Sequence, residues 1–438
     1  MTDRTDPATP PPRREPAGFA PSRRGLLGAG AAGLGLAASS AALSSAALAQ
    51  SRASTEAGMA GASATNPGPQ NVPLGTMLPD SGMPPVSDHG SVKQFWSSMS
   101  LAHRRIQRGG WARQVNVTDF PISKDIAGVN MRLEAGGIRE LHWHAADEWA
   151  IMLTGTARIT ALDYDGSPFV KDVKAGDLWY FPQGLPHSIQ GLGPDGCEFL
   201  LVFDDGTFSE DDTKLISDWL IHTPREVVAK NFGVGVDALK PFDAIPPEGR
   251  YIFPAPLPPA LAQDAAAMTA SHPMSKIDFA FGLTDMKPTK EDANGSIRVV
   301  DSRNFTISRN VAAAYVVVKP GAMRSLHWHQ NADEWQFWIS GKGRMTLFAN
   351  HSDARTIDFN PSDVGYAPAT LPHYIENTGT EDLVYLEMFK APVYQDVSLN
   401  NWIAALPPEL VKQHLGLSDA TLAAIPKDNL GIVPPGKG

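Results

Sequence analysis

The chain has almost no cysteine, and this scarcity restricts its chemistry. Cys197 is the only cysteine among 438 residues. An intrachain disulfide therefore cannot form, and a metal site built from several thiolates is excluded. Because Cys197 lies in a largely apolar stretch that runs to residue 203, we expect a small buried side chain and no reactive thiol.

Positive charge is also in short supply. The chain carries 37 Lys and Arg against 47 Asp and Glu, which gives a formal net charge of -10. Nucleic acid needs a basic surface, so this class of partner is excluded. Hydrophobic residues make up 42% and charged residues 19%, which is typical of a globular protein, and the length suffices for two or three domains.

Long hydrophobic runs are lacking after the first 50 residues. Within that segment, Arg23 and Arg24 precede an Ala/Gly/Leu run, and small residues at 47–49 suit cleavage before Gln50. This pattern predicts a twin-arginine export signal over residues 1–49, and hence a periplasmic or secreted protein with no membrane partner after cleavage. A transmembrane anchor is the alternative, but Ala and Gly contribute little apolar area.

Short alternating patterns with turn signals dominate the rest of the chain. They predict the strands of a β-sandwich or barrel. The expected order is an N-terminal arm over 50–90, a first domain over 91–252, a Pro/Ala-rich linker over 253–273 and a second domain over 274–438 that ends in helices. Helix-start signals also appear in the first domain, after Thr213.

The two domains repeat one another. His187 and His373 are 186 residues apart, and several other landmarks share an offset of 185 or 186. Such regularity indicates two copies of one fold. The offset falls to 183 between Trp219 and Trp402, so the first copy has three extra residues before Trp219. The acidic loop over 204–213, called the lid below, lies in that interval and can close over a site.

Each copy contains three histidines and one glutamate in metal-ligand spacing. Two histidines two residues apart on a strand point to one face, a glutamate follows, and a third histidine comes after a proline turn. The predicted ligands are His142, His144, Glu148 and His187 in the first copy and His327, His329, Glu334 and His373 in the second. Three imidazoles and one carboxylate favour a six-coordinate ion, manganese or iron rather than zinc, and spacing does not choose between those two.

Four more charged residues are candidates for substrate chemistry. Arg139 and Arg324 precede the first histidine of each set by three residues. An inward guanidinium beside a dication predicts a small anionic substrate, and a surface salt bridge is the alternative. Glu387 replaces an apolar residue of the first copy, so burial should raise its pKa for proton transfer, unless it makes only a structural hydrogen bond. Glu210 lies in the lid, where a glutamate is ordinarily solvated.

Together these motifs resemble those of the bicupin oxalate decarboxylases. The resemblance covers nearly all of the chain after the export signal, including residues 133–191, 203–206, 321–324 and 400–402. It implies an all-β-dominated fold of two tandem cupin barrels, each a double-stranded β-helix or jelly roll, with short flanking helices. It also implies one Mn ion in each barrel, an N-terminal arm that packs on the second domain, and a homo-oligomer, commonly a hexamer of two stacked trimers.

The same resemblance implies a reaction and a role for each candidate. Oxalate would be converted to formate and carbon dioxide, with Mn as the metal and dioxygen as a co-catalyst. The first ligand set would hold the catalytic Mn, Arg139 would orient and polarise oxalate, and Glu210 would transfer the proton. Arg324 and Glu387 would lie beside the second Mn.

Two alternatives to decarboxylation compete. An oxalate oxidase, which gives carbon dioxide and hydrogen peroxide, is disfavoured because Glu210 is retained. A non-enzymatic metal-binding bicupin is disfavoured because all eight ligands are present. Asp211 and Asp212 depart from the family, which more often has uncharged polar residues there. These carboxylates should weaken lid closure over a dianion unless they face solvent or meet a cation.

Overall fold

The computed structural model describes residues 71–78, 92–270, 272–350 and 353–436. The predicted export signal and most of the predicted arm lie outside these residues. The chain divides into two units, Met1–Gln70 and Asn71–Gly438, and the description concerns the second unit. Among the described residues, no helix has the length and apolar character needed to cross a membrane.

The first half builds one barrel around a long bent strand. Its strands are β1 (Trp96–Ser98), β2 (Arg104–Gln107), β3 (Gly110–Val115), β4 (Ala127–Leu133), β5 (Gly137–Trp143), β6 (Glu148–Leu162), β7 (Pro168–Lys174), β8 (Asp177–Phe181), β9 (His187–Gly191), β10 (Cys197–Phe203), β11 (Lys214–Leu215) and β12 (Ile252–Pro254). The first part of β6 pairs with β8 and β10, and its second part pairs with β7 and β9. Gly155 sits at the bend with φ +74°, where a Cβ would lie 2.0 Å from the Gly196 carbonyl oxygen.

The second half repeats this arrangement with two separate sheets. Its strands are β13 (Ala280–Gly282), β14 (Lys290–Asp292), β15 (Gly295–Val300), β16 (Ala312–Val318), β17 (Met323–Trp328), β18 (Glu334–Ser340), β19 (Gly343–Phe348), β20 (Ala354–Phe359), β21 (Asp363–Ala367), β22 (His373–Asn377), β23 (Leu383–Phe389), β24 (Val397–Ser398) and β25 (Ile432–Val433). Buried residues of both sheets, such as Val316 and Met345, share one apolar cluster. The expected all-β-dominated fold with two barrels is confirmed.

Helices lie outside the barrels and are short. They are α1 (Val72–Gly75), α2 (Ile216–Ile221), α3 (Arg225–Phe232), α4 (Leu261–Thr269), α5 (Leu399–Ala405), α6 (Pro408–Leu415) and α7 (Asp419–Ala424), with 3-10 segments at Glu210–Asp212 and Val236–Ala244. α3 ends at Gly233, whose left-handed backbone suits a glycine. The predicted linker over 253–273 contains the end of β12 and the whole of α4.

The two barrels exchange edge strands across the predicted domain boundary. β1 belongs to the predicted first domain but pairs with β21 of the second barrel, and β13 of the predicted second domain pairs with β8 of the first. Each exchanged strand covers an edge that would otherwise expose unpaired backbone groups. The described part of the arm contacts the same barrel as β1, because Leu78 packs on the core of the second barrel.

A continuous apolar core joins the barrels. Trp149 and Phe199 of the first barrel share one buried cluster with Trp335 and Leu386 of the second. The contact at Gly128 is so close that a Cβ there would lie 2.5 Å from the Trp335 ring. Burial of each large apolar side chain contributes about 1.5–3 kcal/mol, so the barrels stabilise one another.

Candidate metal centres

Four side chains converge inside the first barrel. His142 lies on β5, His144 just after it, Glu148 at the start of β6 and His187 at the start of β9. All four are buried, and one possible ligand atom of each lies within 4.8 Å of the others. β5 and β9 are paired so that His142 stands opposite His187, which explains why residues 45 positions apart in the chain meet here.

Backbone carbonyls orient every histidine of the site. The Nδ1 atoms of His142, His144 and His187 lie 2.5, 2.7 and 2.8 Å from the carbonyl oxygens of Glu140, Ala146 and Leu185. A carbonyl can only accept, so each Nδ1 must carry the proton and donate it. The lone pair on each Nε2 therefore points to the centre of the cluster, as metal ligation requires.

The cluster fits a cation in both spacing and charge. The Glu148 Oε2 atom lies 3.2 Å from Nε2 of His144 and 3.4 Å from Nε2 of His187. Two ligands at right angles, each about 2.1 Å from an ion, would be roughly 3 Å apart. Burial, followed by the Arg139 charge, holds the pKa of His142 well below its usual value, so this imidazole is neutral and ready to ligate.

The second barrel repeats the cluster with its own support. His327, His329, Glu334 and His373 are buried within the same 4.8 Å limit. The Nδ1 atoms of the three histidines again meet backbone carbonyls, at 2.6, 2.8 and 3.0 Å. The Glu334 Oε2 atom lies 3.0 Å from Nε2 of His329 and 2.8 Å from Nε2 of His373, and among the described residues these atoms and Nε2 of His327 form no hydrogen bond of acceptable geometry. Four buried acceptors that converge on one point without a donor fit a cation.

Different neighbours hold the two ligand carboxylates. The indole of Trp179 donates to Glu148 Oε1 at 2.9 Å. In the second barrel, the Gln336 amide donates to Glu334 Oε1 at 2.7 Å. Burial alone would raise the pKa of Glu148, but the facing imidazoles, His187 first, lower it well below its usual value. Glu148 is therefore an anion in the site.

Arg139 and the lid complete the first site. Arg139 is 1% exposed, which excludes the surface salt bridge considered above. Its Nη2 lies 2.9 Å from Oε2 of Glu210, so the predicted lid glutamate points inward. The Tyr251 hydroxyl donates to the same oxygen at 3.0 Å. Among the described residues, Arg139 Nε and Nη1 have no partner, and two buried donors therefore remain for an anion.

Arg324 has a different environment at the matching position. Its Nε lies 3.2 Å from Glu387, and its Nη2 lies 2.7 Å from both Tyr394 and Asp396. Its Nη1 donates to Ser325 Oγ and to the Gly431 carbonyl. No donor remains for a substrate. Glu387 also accepts from the hydroxyls of Tyr385 and Tyr394, so it belongs to a closed network. Burial raises the pKa of Glu387 although Arg324 opposes this shift.

Tyr251 is a site residue that the sequence patterns did not reveal. Its backbone is left-handed, with φ 55°, which is unusual for a tyrosine. The buried Glu140 carboxylate holds this conformation by accepting from the Tyr251 backbone N–H at 2.9 Å. Ile252 and Ile432 pair with the two arginine positions in the same register, so Gly431 takes the place of Tyr251 in the second barrel. An alignment of the two repeats through these isoleucines could have identified it.

The two additional lid acids do not face the metal cluster. Asp211 is exposed and pairs with Arg105 at 3.2 Å. Asp212 is also exposed. Asp211 thus meets a cation and Asp212 faces solvent, so neither carboxylate should prevent the lid from closing over an anion. A cavity of about 350 Å³ is lined by Arg105, Gln114, Glu210 and Tyr251, among others.

Known proteins resemble this chain over most of its length. A family model described as Cupin matches residues 99–240 and again residues 281–422. Oxalate decarboxylase OxdC of Bacillus subtilis (strain 168) is 47% identical over 367 residues, which cover 83% of this chain and 93% of the relative. A probable oxalate decarboxylase of Arthroderma benhamiae is 38% identical over 356 residues, covering 80% of this chain and 86% of the relative.

Solved structures agree with these sequence similarities. A structure of Bacillus subtilis oxalate decarboxylase, from work on its Mn(II) centres, matches with a TM-score of 0.79 and 47% identity. The match covers 84% of this chain and 95% of that one. The similarity therefore extends over both barrels and both ligand sets.

Proposed function

The chain belongs to the bicupin oxalate decarboxylase family, and we propose that its first barrel is where oxalate is split into formate and carbon dioxide. The single observation that supports this choice of barrel is the difference in hydrogen bonding between Arg139 and Arg324. Within the described part of the chain, Arg139 keeps two buried donors without a partner, whereas each nitrogen of Arg324 is already bonded. A dianion can be bound beside the first cluster without breaking an existing network.

We assign manganese to both clusters. Six imidazoles and two carboxylates, with no thiolate, suit a hard or borderline first-row ion, and the Mn(II) centres of the Bacillus subtilis relative support manganese over iron. When bound, the ion would supply a positive, redox-capable point of attachment for one oxalate carboxylate. Dioxygen as a co-catalyst remains a prediction from family membership.

Arg139 would bind and polarise the substrate. Its free Nε and Nη1 can donate two hydrogen bonds to a carboxylate, and such charge-assisted pairs are about twice as strong as neutral ones. The guanidinium draws electron density from the oxalate and so weakens its carbon–carbon bond. Burial of the site strengthens this electrostatic effect, because little water screens it.

Glu210 would transfer the proton that the reaction consumes. Decarboxylation consumes one proton: C2O4²⁻ + H⁺ gives HCO2⁻ + CO2, as the C–C bond breaks and a C–H bond forms. Glu210 is the lid acid that points inward, and its Oε2 is held by both Arg139 and Tyr251. It can therefore carry a proton to the carbon that loses carbon dioxide while the closed lid excludes bulk water.

We also propose that the protein is exported and forms a homo-oligomer. The paired Arg23 and Arg24 and the small residues at 47–49 support twin-arginine export to the periplasm or beyond. Trp219 and Trp402, 61% and 51% exposed, occupy matching positions outside the two barrels. Large exposed aromatics of this kind support a homo-oligomer, with a hexamer expected from the family.

Product analysis tests the proposed reaction. Protein loaded with Mn should convert oxalate at acidic pH to equal amounts of formate and carbon dioxide, with little hydrogen peroxide. Stoichiometric peroxide would instead establish an oxalate oxidase, and absence of Mn after purification with Mn supplied would favour a non-enzymatic bicupin.

The variant Glu210→Ala separates proton transfer from metal binding. It should lose most formate production while its Mn content, measured by mass spectrometry of the metal, stays near that of the unmodified protein, because Glu210 is not a ligand. Unchanged formate production would show that another group is the acid.

A further inference from the structure

We propose that Arg105 is a latch that holds the lid closed through Asp211. It is a positioning residue: it contacts no predicted metal ligand but fixes the loop that carries Glu210. The consequence for products rests on the proposed function, whereas the latch itself is a property of the fold.

Arg105 contacts two parts of the closed site, the lid and Tyr251. Its Nη1 lies 3.2 Å from Asp211 Oδ1 in the lid. Its guanidinium carbon lies 3.8 Å from the centre of the Tyr251 ring, the same ring on which Arg139 stacks at 4.3 Å. Because the Tyr251 hydroxyl donates to Glu210, one arginine secures both the lid and the residue that holds the catalytic glutamate inward.

The hairpin of β2 and β3 provides the anchor on which the latch acts. Arg105 lies on β2, and Gln114 on β3 contacts the lid beside it. The Gln114 amide accepts from the Glu210 backbone N–H at 2.9 Å and donates to Ser209 Oγ at 3.2 Å. The lid therefore cannot open unless these contacts to the hairpin break, together with those that Glu210 makes to Arg139 and Tyr251.

The position of the latch explains why it governs access. Arg105, Glu210 and Tyr251 together line the cavity of about 350 Å³, and Glu210 also contacts Arg139 beside the metal cluster. Outward movement of the lid would join this cavity to the metal cluster. The Arg105 charge also offsets the Asp211 carboxylate, which would otherwise repel an incoming dianion.

Asp212 provides a matched control. It is the next residue of the lid and equally acidic, but among the described residues its carboxylate has no ion-pair partner. Asp211→Asn and Asp212→Asn therefore remove the same charge from adjacent positions, and only the first breaks the latch. Arg105→Lys keeps the charge but loses the flat guanidinium that stacks on Tyr251, and Arg105→Gln loses both.

Hydrogen–deuterium exchange of the peptide over 204–213 measures the latch directly. Asp211→Asn should speed exchange of this peptide roughly two- to fivefold, the range expected for a partly exposed ion pair. Asp212→Asn should leave it unchanged, Arg105→Gln should have the larger effect, and Arg105→Lys should restore part of the protection. The double variant Arg105→Gln/Asp211→Asn should match Arg105→Gln alone, since the two residues act together.

Salt and product measurements complete the test. Added salt should speed lid exchange in the unmodified protein but not in Asp211→Asn, because only the former has the pair to screen. Equal exchange in Asp211→Asn and Asp212→Asn would overturn the latch. In turnover, Asp211→Asn should yield more peroxide per formate than Asp212→Asn. If the unmodified protein made no formate, the proposed function would fail while the exchange experiment still decided on the latch.

Discussion

Arg139 and Arg324 occupy matching positions in the two barrels, yet their replacement should damage the protein in different ways. In Arg324→Met, two acids lose their cation: Glu387 is fully buried and Asp396 nearly so. Breaking a buried ion pair from one side costs about 3–5 kcal/mol. For a barrel of this size the midpoint of thermal unfolding should fall by roughly 6–20 °C.

Arg139→Met should instead affect mainly catalysis. Tyr251 loses a stacked guanidinium and Glu210 loses its ion pair, but Glu210 keeps the Tyr251 hydroxyl or can turn outward with the lid. The loss of stability should stay below about 2 kcal/mol. Two hydrogen bonds to the substrate would vanish, each worth about 1.5–3 kcal/mol, so kcat/KM should fall roughly 10²- to 10⁴-fold.

Two measurements on each variant separate these outcomes. Thermal unfolding followed by circular dichroism reports stability, and formate production per bound Mn reports catalysis. Arg344→Met is a suitable control, because Arg344 is partly exposed and pairs with Asp358 away from both clusters. The reasoning would be refuted if Arg139→Met lowered the unfolding midpoint as much as Arg324→Met, or if Arg324→Met abolished turnover while remaining fully stable.

Three further outcomes are expected. Tyr251→Phe should lower kcat for formate about tenfold with little change in Mn content, because it removes only the hydroxyl that donates to Glu210; an unchanged kcat would contradict this role. Burial raises the pKa of Cys197 to about 12, so a thiol reagent at pH 8 should label it only after unfolding, and rapid labelling of the native protein would show that it is accessible. Burial alone would raise the pKa of Asp301, but its hydrogen bonds, chiefly those from Arg303, lower this pKa below its usual value. Its stabilising effect is therefore present above the ordinary aspartate pKa and lost as pH falls through the lowered one. Asp301→Asn should destabilise the protein at pH 7 but progressively less below about pH 4, as urea unfolding at several pH values would show; an equal loss of stability at every pH would refute this.

Sequence patterns were sufficient for features that depend on neighbours along the chain. The strand period places His142 and His144 on one face, and the repeat identifies the second ligand set without any coordinates. The three-residue difference between the copies located the lid. The pairing of two edge strands was less predictable. β1 of the first half pairs with the second barrel, and β13 of the second half pairs with the first barrel. Short edge strands carry little pattern of their own, and the partner supplies most of their stability.

Only the tertiary structure decided which arginine can meet a substrate. Arg139 and Arg324 have the same spacing from their histidines, so sequence by itself determined that each barrel holds a metal site with an arginine beside it. Whether that arginine is free depends on residues far along the chain: Glu210 and Tyr251 in one barrel, Tyr394 and Asp396 in the other. Such contacts form when strands close into a barrel and bring distant loops together, and no local propensity encodes them.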